Sequence, residues 1–220
     1  DESRYRKAAV RAARYILDHM RTEDGGLYRT MRRGTVKIEG FLEDYAFFVH
    51  ALLELFRTEA NPKWLEAAKQ LVQVATEKFG ADQKLAGGYY DTLADQADLF
   101  VRTRTTYDGA IPTGNSQMVH NLIGLYDLTE NVAYLDRAAA DLKSFGGTLR
   151  QQGVGMVHMQ HAVLRAIEAA PLRFTATAPA TSQPAKSQVV RATADPKVVD
   201  LSSGSITVTV TLEIDKAYHL

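Results

Sequence analysis

Apolar positions in the first three quarters of the chain recur every three or four residues, the spacing of one face of an α-helix. Three stretches share the pattern and its landmarks: SRYRKAAVRAARYILDHM (3–20), PKWLEAAKQLVQVATEKF (62–79) and VAYLDRAAADLKSF (132–145). With Tyr5, Trp64 and Tyr134 aligned, Ala9, Ala68 and Ala138 coincide. Each stretch has an aromatic at the helix start for packing, a small residue one turn on where another helix can approach, and then Leu, Val or Ile at helical spacing. A second set, FLEDYAFFVHALLELFRTE (41–59) and GNSQMVHNLIGLYDLTE (114–130), is apolar around more of its circumference, as helices buried on two sides must be. GVGMVHMQHAVLRAIEAA (153–170) reads as another of this set.

The order is buried helix, short turn at Thr58-Glu59 or Thr129-Glu130, amphipathic helix, then a longer loop. Two of these loops carry double glycines with aromatics, Gly25-Gly26-Leu27-Tyr28 and Gly87-Gly88-Tyr89-Tyr90. Glycine ends a helix cheaply because it accepts the left-handed conformation. A unit of about 60 to 70 residues, with long loops at one end and short ones at the other, predicts concentric rings of helices. The fold class expected is all-α: residues 1–168 form part of an (α/α)6 toroid, about half of six hairpins. The inner helices' N-termini and the long loops then share one mouth.

Beyond this the pattern changes. Residues 169–198 are rich in Ala, Thr, Pro, Ser and Gln, a composition that predicts a disordered linker. In 199–220, Ile206, Val208, Val210, Leu212 and Ile214 alternate with polar residues, which predicts one half-buried strand. A lone strand is not stable, so this segment is expected to open a truncated β domain. The chain begins and ends inside such patterns and reads as a piece of a longer protein.

Composition narrows the function. The 220 residues hold 26 basic and 26 acidic side chains, so the chain lacks the electrostatic footprint of a nucleic-acid binder. No run approaches the roughly 18 apolar residues of a membrane span. With no cysteine, disulfides, thiolate metal sites and cysteine nucleophiles are excluded within the chain. No cofactor is expected.

The segments DGGLYRT (24–30), GFLEDYAF (40–47) and YDGAIPTGNS (107–116) fall in order on the predicted helix boundaries. Together they resemble the thioredoxin-domain-containing family typified by spermatogenesis-associated protein 20, over about residues 1–168. The resemblance implies a six-hairpin toroid similar to N-acylglucosamine 2-epimerases and six-hairpin glycosidases. It also implies the rest of the toroid and a thioredoxin-like domain upstream, and either a sugar-related, epimerase- or glycosidase-like pocket with a carbohydrate ligand or a non-catalytic glycan- or protein-binding scaffold that presents the thioredoxin-like domain to clients. SGSITVTVTLEIDKAYHL (203–220) resembles the opening strand of DsbD-type thiol:disulfide interchange proteins. The compartment expected is cytoplasmic, or extracytoplasmic if the tail is of that type.

Glu43 and Asp44 open an inner helix, where carboxylates satisfy free N–H groups or act as acid or base on a sugar. Neighbouring helical positions diverge by about 100°, so at most one points into the mouth, and Glu43 is the choice. Asp108 is the candidate second carboxylate, with retaining, inverting and epimerising outcomes all open. Turn and capping roles explain Asp108, Asn115 and Ser116 equally well. His120 is the candidate proton carrier, since epimerases of the resembled fold use helix-borne histidines. Tyr28, Arg29, Asp44, Tyr90, Asn115 and Ser116 are the ligand-binding candidates. His50 reads as a core residue. His158 and His161 share a helix face without a third ligand at metal-site spacing, so no metal is expected.

Overall fold

The computed structural model describes residues 2–81, 87–95 and 100–174, together with the backbone of 190–195 and 209–214. The chain divides into two compact units, 1–176 and 177–220. The first holds helices α1 (Glu2–His19), α2 (Leu42–Glu59), α3 (Pro62–Phe79), α4 (Gly114–Thr129), α5 (Val132–Gln152), α6 (Val157–Ala169) and the single turn α7 (Pro171–Phe174). Strands β1 (Tyr28–Arg32) and β2 (Thr35–Glu39) form a hairpin between α1 and α2. Among the described residues no helix is long and apolar enough to cross a membrane.

Helices α2, α4 and α6 pack side by side as an inner layer, with α3 behind α2 and α5 behind α4. This is the expected half toroid. Every residue of α4 from Gly114 to Leu125 is buried, which accounts for its lack of a polar face. Its buried polar groups are paired internally: the Asn121 amide donates to the Ala46 carbonyl at 2.7 Å and accepts from Gln117 at 3.0 Å. At Gly114 a Cβ would sit 2.9 Å from Leu42 Cγ, so glycine lets the starts of α4 and α2 touch.

The short turns are two-residue corners. Ala60 and Glu130 close α2 and α4 in the left-handed conformation (φ 51° and 55°), sending their N–H groups to Phe56 and Tyr126. Asn61 and Asn131 follow at once as N-caps, accepting from the Lys63 and Ala133 amides at 3.1 and 3.0 Å. One residue ends a helix and the next begins its partner.

The two double-glycine loops are built alike. Leu27 and Tyr89 are buried, and each forms a single antiparallel bridge to the segment just after the preceding helix, at Arg21 and Gly80. An inner helix captures each backbone amide, the first through the Tyr45 hydroxyl and the second through Asn115 Oδ1, both at 2.8 Å. The second loop is also held from outside. Asp141 on α5, fully buried, accepts from the Gly88 amide at 2.7 Å and from Arg137 Nε at 2.9 Å.

The β-hairpin was not expected. Its two-residue turn, Arg33-Gly34, has φ of 52° and 79°, the positive pair that suits a hairpin's twist. The α1 helix also departs from its repeat. Trp64, Ala68 and Ala138 are buried, but Tyr5 and Ala9 are exposed, because α1 packs on α2 along one narrow face and Ala13 is its one buried residue.

In the second unit, β3 (Val190–Asp195) pairs antiparallel with β4 (Thr209–Ile214). The strand expected from alternation therefore has a partner within the chain, drawn from the stretch read as linker by its composition. The remainder of 175–220 lies outside the described residues, as does the β domain expected there.

Two outcomes follow. Asp141→Ala should cost about 3 kcal/mol in denaturant melts, since it strands the Arg137 cation and the Gly88 amide. Asp141→Asn, which keeps an acceptor, should cost clearly less. The chain alone should self-associate through the apolar groove of Leu142, Leu149, Val163, Leu164 and Phe174. Sedimentation velocity showing a lone monomer at 50 µM (about that concentration, a usual working value for marginal interfaces) would rule this out.

Candidate functional site

The first N–H groups of a helix have no partner within it, and here three inner helices start beside one another. At α2, Asp44 Oδ2 accepts from the Phe41 amide at 2.8 Å, while the Leu42 amide donates to the Asp91 carbonyl at 3.0 Å. At α4, Thr113 is the N-cap, its hydroxyl oxygen accepting from the Ser116 amide at 3.0 Å. At α6 the partner is Asp108, fifty residues away, whose Oδ2 accepts from the His158 amide at 2.9 Å. Its Oδ1 accepts from the Thr113 amide and the Ser116 hydroxyl, both at 2.9 Å. Asp108 thus ties α4 to α6. Both oxygens of this expected second carboxylate are engaged in structural bonds.

A cavity of about 350 Å³ lies at this rim, lined by Phe41, Glu43, Asp91, Thr105, Tyr107 and Ile111 among others. A second, of about 460 Å³, is lined by Tyr28, Arg29, Glu43, Asp44, Phe47 and Ile111 among others. Glu43 and Ile111 belong to both. Arg29, delivered by β1, bridges the two acidic neighbours at 2.8 Å to each. Its guanidinium also stacks 4.6 Å from the centroid of Phe41. Burial lowers the Arg29 pKa, but its bonds to Glu43 and Asp44 outweigh that and hold it above its ordinary value. Asp44 Oδ2 serves both this bridge and the cap. Among the described residues Glu43 is bonded to Arg29 alone, with its side chain 40% exposed. Asp91 accepts from the Thr105 amide and from the hydroxyls of Thr103 and Thr105.

The other candidates separate. Tyr28 and Arg29 share a cavity with Glu43. Tyr90 does not; it lies under Arg102, 4.2 Å from ring centroid to guanidinium carbon, beside a different hollow with Phe100 and Val101. Asn115 and Ser116 are buried, Asn115 holding both backbone groups of Tyr89 and Ser116 bonded to Asp108. They build the rim and offer nothing to a ligand. Asp91, Thr105 and Tyr107 line the rim without having been singled out, since no helical period runs through their loop.

His120 is also placed differently from expectation. It lies between α4 and α6, its ring 4.1 Å from that of His158 and 5.1 Å from that of His161. Nε2 sits 3.0 Å from the His158 carbonyl and must donate to it, so Nδ1 is the acceptor for Arg165 Nη1 at 3.1 Å. Arg165 also pairs with Asp127 at 3.0 Å. Burial, with His158, Arg165 and His161 adding to it, lowers the His120 pKa to about 4 against the pull of its carbonyl bond. Burial lowers His158 as well, opposed by Asp108. His50, expected in the core, is exposed on α2.

Two layers of helices with one shared, aromatic-lined rim define an α/α toroid. The fold matches the structure of a GH76 α-mannanase from Bacteroides thetaiotaomicron with a TM-score of 0.53, over 73% of this chain and 45% of that one. At 15% identity that likeness is one of fold alone. Along its helical part the chain is homologous to spermatogenesis-associated protein 20. It is 32% identical to the Rattus norvegicus protein over 165 residues, 70% of this chain and 21% of the relative. It is 35% identical to the Mus musculus protein over 161 residues, 69% and 20% of the two, and 33% identical to the Homo sapiens protein over 165 residues. The chain spans about a fifth of the length of these relatives. No family model matches it.

The lowered His120 pKa sets a pH dependence. The native state binds this proton only near pH 4, the unfolded chain near 6.5. Stability should therefore be fully present above about pH 6.5 and fall as the pH drops towards 4, by up to about 3 kcal/mol. Denaturant melts from pH 7.5 to 4.5 should show the loss, and His120→Gln should flatten it. An NMR titration placing His120 near 6.5 would sink the idea.

Proposed function

We propose that the rim is a carbohydrate-binding site, with Glu43 and Arg29 as its polar anchors and the rings of Phe41, Tyr107 and Tyr28 as its walls. One observation carries the reading. Glu43 lines both cavities of ligand size with its side chain 40% exposed, and Arg29 is its one bonded partner among the described residues. A carboxylate accepts hydrogen bonds from neighbouring hydroxyls while the guanidinium beside it donates to them, and flat apolar walls suit a sugar's C–H faces.

The finer question is whether a sugar is only held or also transformed. Hydrolysis of a glycoside takes a pair of carboxyl groups, commonly. Among the described residues Asp91 and Asp108 have both oxygens in structural bonds, and Asp44 is held through Oδ2 by Arg29 and the Phe41 amide. Epimerisation by His120 would need a lone pair that Arg165 already occupies. Both facts favour binding over catalysis for this part of the ring. On this reading the toroid holds a glycosylated client for a thioredoxin-like domain elsewhere in the longer protein.

Thermal melts against a panel of mannosides, glucosides and N-acylhexosamines test the proposal. At least one class should raise Tm by a few degrees at saturation (roughly 2–4 °C for a domain of this size), and Glu43→Gln should remove the shift. If no sugar moves Tm, and direct titration with the same panel shows no heat, the rim is not a sugar site. Release of reducing sugar that disappears in Glu43→Gln would favour catalysis over binding.

A further inference from the structure

His120, His158 and His161 form the densest group of metal-ligating side chains among the described residues, and the rim does not use them. Spacing along the chain hides the group, because two of its members come from α6 and the third from α4. One ring nitrogen of each lies within 4.8 Å of one from each of the others. The set is graded from buried His120 through half-buried His158 to exposed His161, so one side stays open to solvent.

We propose that these three histidines bind a first-row divalent cation of the zinc class. Imidazole nitrogens suit Zn(II), Ni(II) and Cu(II), and three protein ligands with an open fourth position is a recurrent zinc arrangement. Nitrogens around a tetrahedral zinc stand about 3.4 Å apart, given bonds of about 2.1 Å. The present spacing needs a contraction of about an ångström, which side-chain rotation of exposed His161 supplies more easily than any backbone shift.

The surroundings fit that role. A ligating histidine commonly donates its other N–H to a carbonyl or similar acceptor, which fixes ring and tautomer. His120 already does so to the His158 carbonyl at 3.0 Å, and His158 Nε2 stands 3.1 Å from Gln117 Oε1. With these bonds kept, Nδ1 is the nitrogen each of the two rings presents. The opposing feature is Arg165, which donates to His120 Nδ1. It already reaches Asp127 with its other terminal nitrogen, so an incoming cation would displace it towards an existing partner. Arg165 therefore competes with the metal for the site, a relation that a mutation can read. None of this depends on whether the rim binds sugar.

The experiment is titration of the chelator-treated chain with Zn(II) by calorimetry, and with Co(II) by visible absorption. One cation should bind per chain, Co(II) giving the intense bands of a tetrahedral site. His161→Ala, which removes an exposed side chain and leaves the fold intact, should weaken binding at least tenfold. Arg165→Met should tighten it, whereas His19→Ala, on α1, should leave it unchanged. Absence of one-to-one binding at 100 µM metal (about that level, roughly 5–6 kcal/mol of affinity) would overturn the proposal. So would equal affinity in wild type and His161→Ala, which would assign the binding to scattered surface histidines.

Discussion

The structure turns on the free N–H groups at the starts of α2, α4 and α6. Three helices begin side by side at one rim, and each exposes backbone donors that burial would otherwise leave unmet. The loops answer with oxygen: Asp44 and the Asp91 carbonyl at α2, Thr113 at α4 and Asp108 at α6. This need explains why the polar residues of the most recognisable motifs are largely structural. It also isolates Glu43, whose helix start is capped by its neighbour, leaving its own carboxylate to Arg29.

The rim is stiff for the same reason. Asp108 binds groups from two helices with both oxygens, and Asn115 and Tyr45 each reach out of an inner helix to hold a loop amide. A charge-assisted bond to a backbone N–H is stronger than a neutral one. The pocket walls at Phe41, Tyr107 and Thr113 therefore rest on loops pinned at several points. A preformed hollow of this kind loses little freedom on binding.

Much of this was legible in the residues because it is local. The 3.6-residue period, the aligned Tyr5, Trp64 and Tyr134, and the double glycines gave six long helices, their layering and the loop ends. What stayed hidden depends on long separations. Asp108 could be read as a turn former or as a catalytic acid, and its contact with His158, fifty residues on, is invisible to either reading. His158 and His161 lacked a third partner until α4 brought His120 beside them. The β-hairpin was missed because Arg33-Gly34 is a weaker signal than Asn-Gly, and its strands are five residues each. In α1 the pattern matched its repeats and the burial did not, since burial belongs to the neighbours a helix meets.

The loop from Tyr107 to Thr113 has a consequence beyond capping. Its middle, at Ile111, lines both rim cavities, while its first turn holds the amide of His158, whose ring belongs to the histidine group. The rim cavities and the histidine group therefore share one short segment of chain. Were both proposed sites occupied, any shift of this loop on filling one would change the affinity of the other, by the same factor in both directions.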